Sequence, residues 1–252
     1  MSIQPDTAYE LSPFFDFNKK GTVNQLFMRD LERLWTDVLR VAAIVEDSLS
    51  QSFEILIRQR SELTNDVINN EKIIDRWEIS IEEKCVAILA QHQPVAGDLR
   101  RVAAILKLNS LLERLSDLAS HIAVRSRKFN EFNTGVRLSH DFVSLAESSI
   151  ELLTESLNTL TRCDAEAARK LVDGTRFSRI DRLRTNVRRE MKQQIRDNID
   201  NFDSSLRIIN IARNFKRVAE HALDIAVETV YVREGVIIRH QALKQISPDD
   251  VD

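Results

Sequence analysis

The sequence predicts an all-α protein of six long helices, arranged as two pseudo-symmetric sets of three. Three features carry that expectation. Chain breakers are scarce: 252 residues hold 5 glycines and 4 prolines, where an average chain of this length has about 30 of the two together. Sandwiches, barrels and doubly wound sheets need many Gly/Pro turns, so few and long elements remain the economical solution. The breakers also fall far apart, leaving residues 22–93, 98–134, 136–173 and 175–234 free of both. Finally, the chain repeats itself. Glu113-Arg-Leu-Ser-Asp117-Leu-Ala compares with Lys216-Arg-Val-Ala-Glu220-His-Ala at an offset of 103 residues. Ile74-Asp75 compares with Ile180-Asp181 at an offset of 106, so each copy spans three helices.

Each element follows in order. One helix over 22–93 would run about 108 Å at 1.5 Å per residue, too long for a compact protein. Arg60-Ser61-Glu62 offers a break and an N-cap serine, since a serine hydroxyl can accept from an orphan N–H of the first turn. The reading is therefore helices over about 23–59, 61–91 and 96–130, then 137–162, 164–197 and 203–234. The last break lies in Asn198-Ile-Asp-Asn-Phe-Asp203, a cluster of turn formers and caps. On the first helix Leu26, Leu34, Val38, Val41 and Ala42 share one side. On the last, Ile208, Ile211, Phe215, Val218, Ala222, Ile225 and Thr229 recur every three or four residues. Residues 1–20 read as a loose N-terminal extension, 21–133 and 134–240 as the two repeats, and 241–252 as a polar tail.

Composition excludes several functions. A net charge of −3 and an isoelectric point near 6.0 give no bulk attraction to nucleic acid or anionic lipid. Residues 1–20 hold no apolar stretch typical of a secretory signal, and no uncharged apolar run approaches the ~18 residues of a membrane span. A cytoplasmic protein is expected. Cys85 and Cys163 are too few for a disulfide framework; one bridge or two free buried thiols are the alternatives, and helical surroundings favour free thiols. No nucleophile elbow, P-loop, GxGxxG, HExxH or CxxC is present. The expectation is a non-enzyme.

Carboxylates carry the only candidate chemistry. At 100° per residue, Glu71, Asp75, Glu78 and Glu82 form one line down the second helix. The third helix adds Glu113 and Asp117 at i, i+4, with Asn109, Ser110, Ser116 and Ser120 around them and His121 one turn beyond Asp117. Like charges at i, i+4 destabilise a helix by a few tenths of a kcal/mol, roughly 0.2–0.5 per pair. Two facing acid lines repel unless a cation lies between them, and hard oxygen ligands suit magnesium, manganese, calcium or iron better than zinc alone. A solvated acidic face is the competing explanation.

Gln93-Pro-Val-Ala-Gly-Asp98-Leu-Arg100, followed by Glu113-Arg-Leu-Ser-Asp117-Leu-Ala and the related run at Lys216–Ala222, resembles the PhoU family of phosphate-signalling regulators. The likeness spans about residues 23–240. It implies two tandem three-helix bundles and a metal-binding protein, with E(D)xxxD pairs on facing helices holding iron, zinc or other metals in clusters; manganese and magnesium stay open here. Carried over, the first site is Glu71, Asp75, Glu113 and Asp117, with Glu78 and His121 as further candidates. The second site is degenerate: Asp181 and Glu220 remain, while Phe177 and Lys216 stand where acids are expected. Lys216 could pair with either acid and supply internally the charge of a metal. The resemblance further implies a non-catalytic homodimeric negative regulator of phosphate uptake and starvation signalling. Its partners would be the phosphate transporter ATPase and a sensor histidine kinase, reached at the edge of a membrane complex. The alternative is a carboxylate-rich metal-binding accessory protein of another ion or phosphate transporter. A ferritin-like diiron enzyme is disfavoured because neither Glu71 nor Glu113 has histidine three residues on.

Overall fold

The computed structural model describes residues 25–132 and 135–238; the proposed extension over 1–20 and tail over 241–252 lie outside them. Six long helices and one short one follow in order: α1 (Gln25–Ile57), α2 (Thr64–His92), α3 (Ala96–Phe132), α4 (His140–Arg162), α5 (Ala165–Leu171), α6 (Thr175–Asp197) and α7 (Phe202–Glu234). No strand occurs among the described residues. Helices α1, α2 and α3 pack as one bundle, and α4, α6 and α7 as the second, with α5 lying against α4 and α7. The bundles join along α3 and α7 and more lightly through α1 and α4.

Two local expectations need correction. The fifth helix, read as continuous over 164–197, is two helices. Asp164 caps α5 by accepting from the Ala167 amide at 2.9 Å, and the chain then turns through Val172-Asp173-Gly174. Gly174 takes a left-handed φ of 83°, which a residue with a Cβ adopts only at a cost. Asp173 holds the restart by accepting from the Thr175 amide at 2.9 Å. The break near Ser61 is real, but the serine does not cap α2. A 3₁₀ turn over Ser61–Leu63 intervenes, and the Thr64 hydroxyl donates to the Ser61 carbonyl at 2.8 Å. The break before α7 follows expectation, with the Asn198 side chain accepting from the Asp200 amide at 3.0 Å.

Burial explains why α3 and α7 are the central helices. Each is apolar on more than one face, as a helix surrounded by others must be. On α7 the run Ile225-Ala-Val-Glu-Thr-Val230 is buried without interruption. On α1 the stripe Leu34, Val38, Val41 and Ala42 is buried; Leu26, expected on the same side, is 46% exposed, and its neighbour Phe27 takes the inward place, edge-on to His92 of α2 with centroids 5.4 Å apart. Phe142 of α4 meets Phe215 of α7 edge to face, centroids 6.3 Å apart, at the heart of the second bundle. Cys85 and Cys163 are free and buried; burial lifts their thiols to about 12 and about 11 respectively, so neither is a nucleophile at neutral pH.

A candidate metal groove and its altered counterpart

In the first bundle the groove lies between α2 and α3. The short turn at residues 93–95 makes these helices antiparallel neighbours, and Asn109 of α3 fixes their register by donating from Nδ2 to the backbone carbonyl of Glu78 at 2.8 Å. Glu71, Glu78, Glu113 and Asp117 are half-buried, and Asp75 and Glu82 are exposed. Two cations of α2 are engaged elsewhere: Lys84 pairs with Asp37 of α1 at 2.7 Å, and Arg76 donates to the Lys72 carbonyl at 3.1 Å. Among the described residues none of the six acids forms an ion pair.

The carboxyls therefore act on one another. Burial pushes Glu78 above the ordinary glutamate range, and the charges of Glu82, Asp75 and Asp117 push it further. Glu113 is raised by burial, then by Asp117 and Glu78, against a smaller opposing pull from Arg114, with Asp75 adding least. Acids from both helices thus share one field, as the sequence spacing requires. Glu71 acts on neither Glu78 nor Glu113; it stands one turn before Asp75. His121 is exposed. Among the described residues no three acidic, histidine or cysteine side chains already close into a ligand cage.

The donor set nonetheless fits a hard cation. It is all oxygen, no ion pair neutralises it among the described residues, and the buried Asn109 Oδ1 and Ser116 Oγ have no hydrogen-bond partner there. Such orphaned acceptors are costly in an interior unless something supplies the missing interaction. Asp75, Glu78, Glu113 and Asp117 are the residues placed to hold an ion, with Glu71 adjoining. A bound cation would supply charge neutralisation and a rigid tie between α2 and α3.

The second bundle does not fit. Lys216 of α7 places its ammonium 3.4 Å from Asp181 and 3.2 Å from Glu220, bridging the two remaining acids. Arg184 adds a second contact to Asp181 at 3.2 Å. Phe177 is buried, with Lys216 Nζ 5.6 Å from its ring centroid, a distance at which cation and ring attract. A protein cation stands where a metal would.

Sequence reasoning missed two charged groups here. Arg184 belongs to the stretch Arg182–Arg189, whose pattern reads as a solvated helix face, yet it lies three residues beyond Asp181 and pairs with it, where the repeat offset matches it to Glu78. Glu228 of α7, 3% exposed, is bonded by Lys107 of α3 at 3.2 Å, whose ammonium also lies 4.5 Å from the Tyr231 ring centroid. A lone glutamate inside an apolar helical run was the available signal, since a buried carboxylate requires a partner.

Comparison with known proteins agrees with this two-part architecture. The PhoU domain family matches residues 38–125 and again 142–229. A phosphate-specific transport system accessory protein PhoU homolog of Aquifex aeolicus is 29% identical over 217 residues, covering 86% of this chain and 97% of that protein. The Escherichia coli phosphate-specific transport system accessory protein PhoU is 28% identical, covering 88% and 91%. Among solved structures, PhoU from Pseudomonas aeruginosa superposes with a TM-score of 0.78 at 28% identity, covering 83% of this chain and all of that one. A phosphate transport system regulatory protein PhoU from Streptococcus pneumoniae gives 0.73 at 22% identity, a likeness of fold. With both repeats matched over most of its length, the chain belongs to the PhoU family.

Proposed function

We propose that this protein is an accessory regulator of phosphate transport: a non-catalytic, cytoplasmic adaptor that restrains uptake and starvation signalling when phosphate is plentiful. The observation that carries the reading is the nearly end-to-end match to relatives named as phosphate-specific transport accessory proteins. No helix among the described residues is long and apolar enough to cross a membrane, which suits a protein that docks at the edge of a transporter complex. Long helical faces provide the docking surface, and its partners are the transporter ATPase and a sensor histidine kinase. The acid groove of the first bundle binds iron, manganese, magnesium or zinc and ties α2 to α3. The protein works as a homodimer.

The test is genetic and direct. Deleting the gene should raise a phosphate-starvation reporter in phosphate-replete medium, and the intact chain should restore repression. A reporter that stays silent in the deletion strain overturns the reading. Metal dependence is assayed apart, by complementing with Glu113→Gln/Asp117→Asn.

A further inference from the structure

The acid line of α2 has a counterpart on α6 whose charge is reversed. At the repeat offset of 106 residues, Glu71, Asp75, Glu78 and Glu82 correspond to Phe177, Asp181, Arg184 and Arg188. Whole helices follow the same trend. Among its residues α2 carries six acidic and three basic side chains, whereas α6 carries eight basic and three acidic ones. A net charge of −3 for the chain hides this contrast.

The reversed positions line a cavity. Arg184 and Arg188 of α6, with Ile209, Asn210, Ala212 and Arg213 of α7, enclose about 290 Å³, close to the lower end of small-ligand pockets at roughly 300 Å³. Three arginines and an asparagine line it with two apolar residues; the Arg184 guanidinium also donates to Asp181 at 3.2 Å. Asp181, the acid paired with Arg184, is also bonded by Lys216, so two cations share its charge. Arg188 and Arg213 form no ion pair among the described residues. Guanidinium forks match the oxygens of phosphoryl groups in pairs and keep their charge at every physiological pH.

We infer that this α6–α7 cavity is a binding site for a phosphoryl-bearing anion, held by Arg184, Arg188 and Arg213. Where the first groove presents a line of acids, its counterpart then presents arginines to a phosphoryl oxyanion. This inference is independent of whether the first groove binds metal.

Isothermal titration of the full chain in low-salt, metal-free buffer tests it, with inorganic phosphate as one probe and ADP as the other. Saturable binding at one site per chain is expected. Arg188→Gln/Arg213→Gln, two exposed positions whose loss should leave the helical circular dichroism unchanged, should weaken it by at least about tenfold. Arg182→Gln/Arg189→Gln, on the same helix outside the cavity, should leave it near the wild-type value. Tighter binding of ADP than of phosphate identifies a nucleotide as the source of the phosphoryl group; equal or weaker binding identifies the free ion. The inference is overturned if neither probe saturates, or if the two double variants lose binding equally, which would mean diffuse surface charge.

Discussion

Neutralising Glu113 should stabilise the metal-free protein and at the same time abolish its response to metal. The Glu113 carboxyl is half-buried and faces Asp117, Glu78 and Asp75, against the single opposing charge of Arg114. Three like-charge contacts at roughly 0.2–0.5 kcal/mol each, less the lost attraction of Arg114 and solvent screening, leave a gain of roughly 0.5–1 kcal/mol for Glu113→Gln. At about 2–4 °C per kcal/mol for a chain of this size, the metal-free melting temperature should rise by roughly 1–4 °C. The pH dependence has a definite sign. Folding raises the pKa of Glu113 and of Glu78, so their penalty is absent below the unfolded carboxylate range near about 4. It grows as pH climbs through that range and is complete above the folded values. The advantage of Glu113→Gln should therefore vanish in acid and be full at neutral pH. Metal reverses the order: at 100 times its dissociation constant an ion adds about 2.7 kcal/mol, or roughly 5–11 °C, to the wild type. Calorimetric melts from pH 4 to 8, with and without manganese or ferrous iron, measure both effects. Metal-free Glu113→Gln melting below wild type at neutral pH, or equal metal shifts in wild type and Glu113→Gln/Asp117→Asn, refutes the reasoning.

Three further outcomes follow from the same geometry. Phe177→Glu/Lys216→Glu should create metal binding in the second bundle, read as an added ion per chain by elemental analysis, whereas Asp181→Asn/Glu220→Gln should leave the metal content unchanged. Lys107→Met strips the ammonium that pairs with the buried Glu228 and should cost about 2 kcal/mol, the scale of a hydrogen bond to a charged group, seen as a melting point lower by roughly 4–8 °C. The thiols of Cys85 and Cys163, lifted to about 12 and about 11 by burial, should resist a thiol reagent at pH 7.5 in the native protein and react once it is unfolded; fast native labelling contradicts their burial.

Elements defined by periodicity and breakers were legible in the sequence, and those defined by a single residue's backbone were less so. The stripe of α7 and the Asn198–Asp203 break follow from spacing and from turn chemistry that acts within a few residues. The α5–α6 break depends on Gly174, a residue that helices can tolerate, and only the packing of α5 against α4 and α7 decides that the chain turns there. The cap at Ser61 failed for a related reason: a hydroxyl in the right place is necessary, but the 3₁₀ turn carried the helix start on to Thr64. In the groove, residue types were readable but partners were not. Spacing placed Glu71 and Glu78 on one line, yet only the packing of α3, through Asn109 and the Glu78 carbonyl, shows that Glu78 shares the field of Asp117 while Glu71 adds nothing to the shifts of Glu78 or Glu113. Glu228 and Lys107 meet across the seam between repeats, 121 residues apart in the chain, beyond any local pattern.

The contrast between the two grooves also separates what core positions and groove positions must each satisfy. Core positions answer to volume: Leu112 and Phe215, Leu115 and Val218, Ala119 and Ala222 are all apolar and all buried, because a polar group there would cost several kcal/mol, roughly 2–7, without a partner. Groove positions answer to charge balance, which a set of residues can satisfy jointly in more than one way. Replacing Glu113 by a cation alone would leave a lysine among acids suited to metal; replacing its partners alone would leave acids with nothing to hold. In the second bundle the changes form a consistent set. Lys216 bridges Asp181 and Glu220, its ammonium lies 5.6 Å from the centroid of the Phe177 ring, and Arg184 adds a second contact to Asp181. With Asp181 and Glu220 satisfied internally, Arg188 and Arg213 keep their charge for something outside the chain.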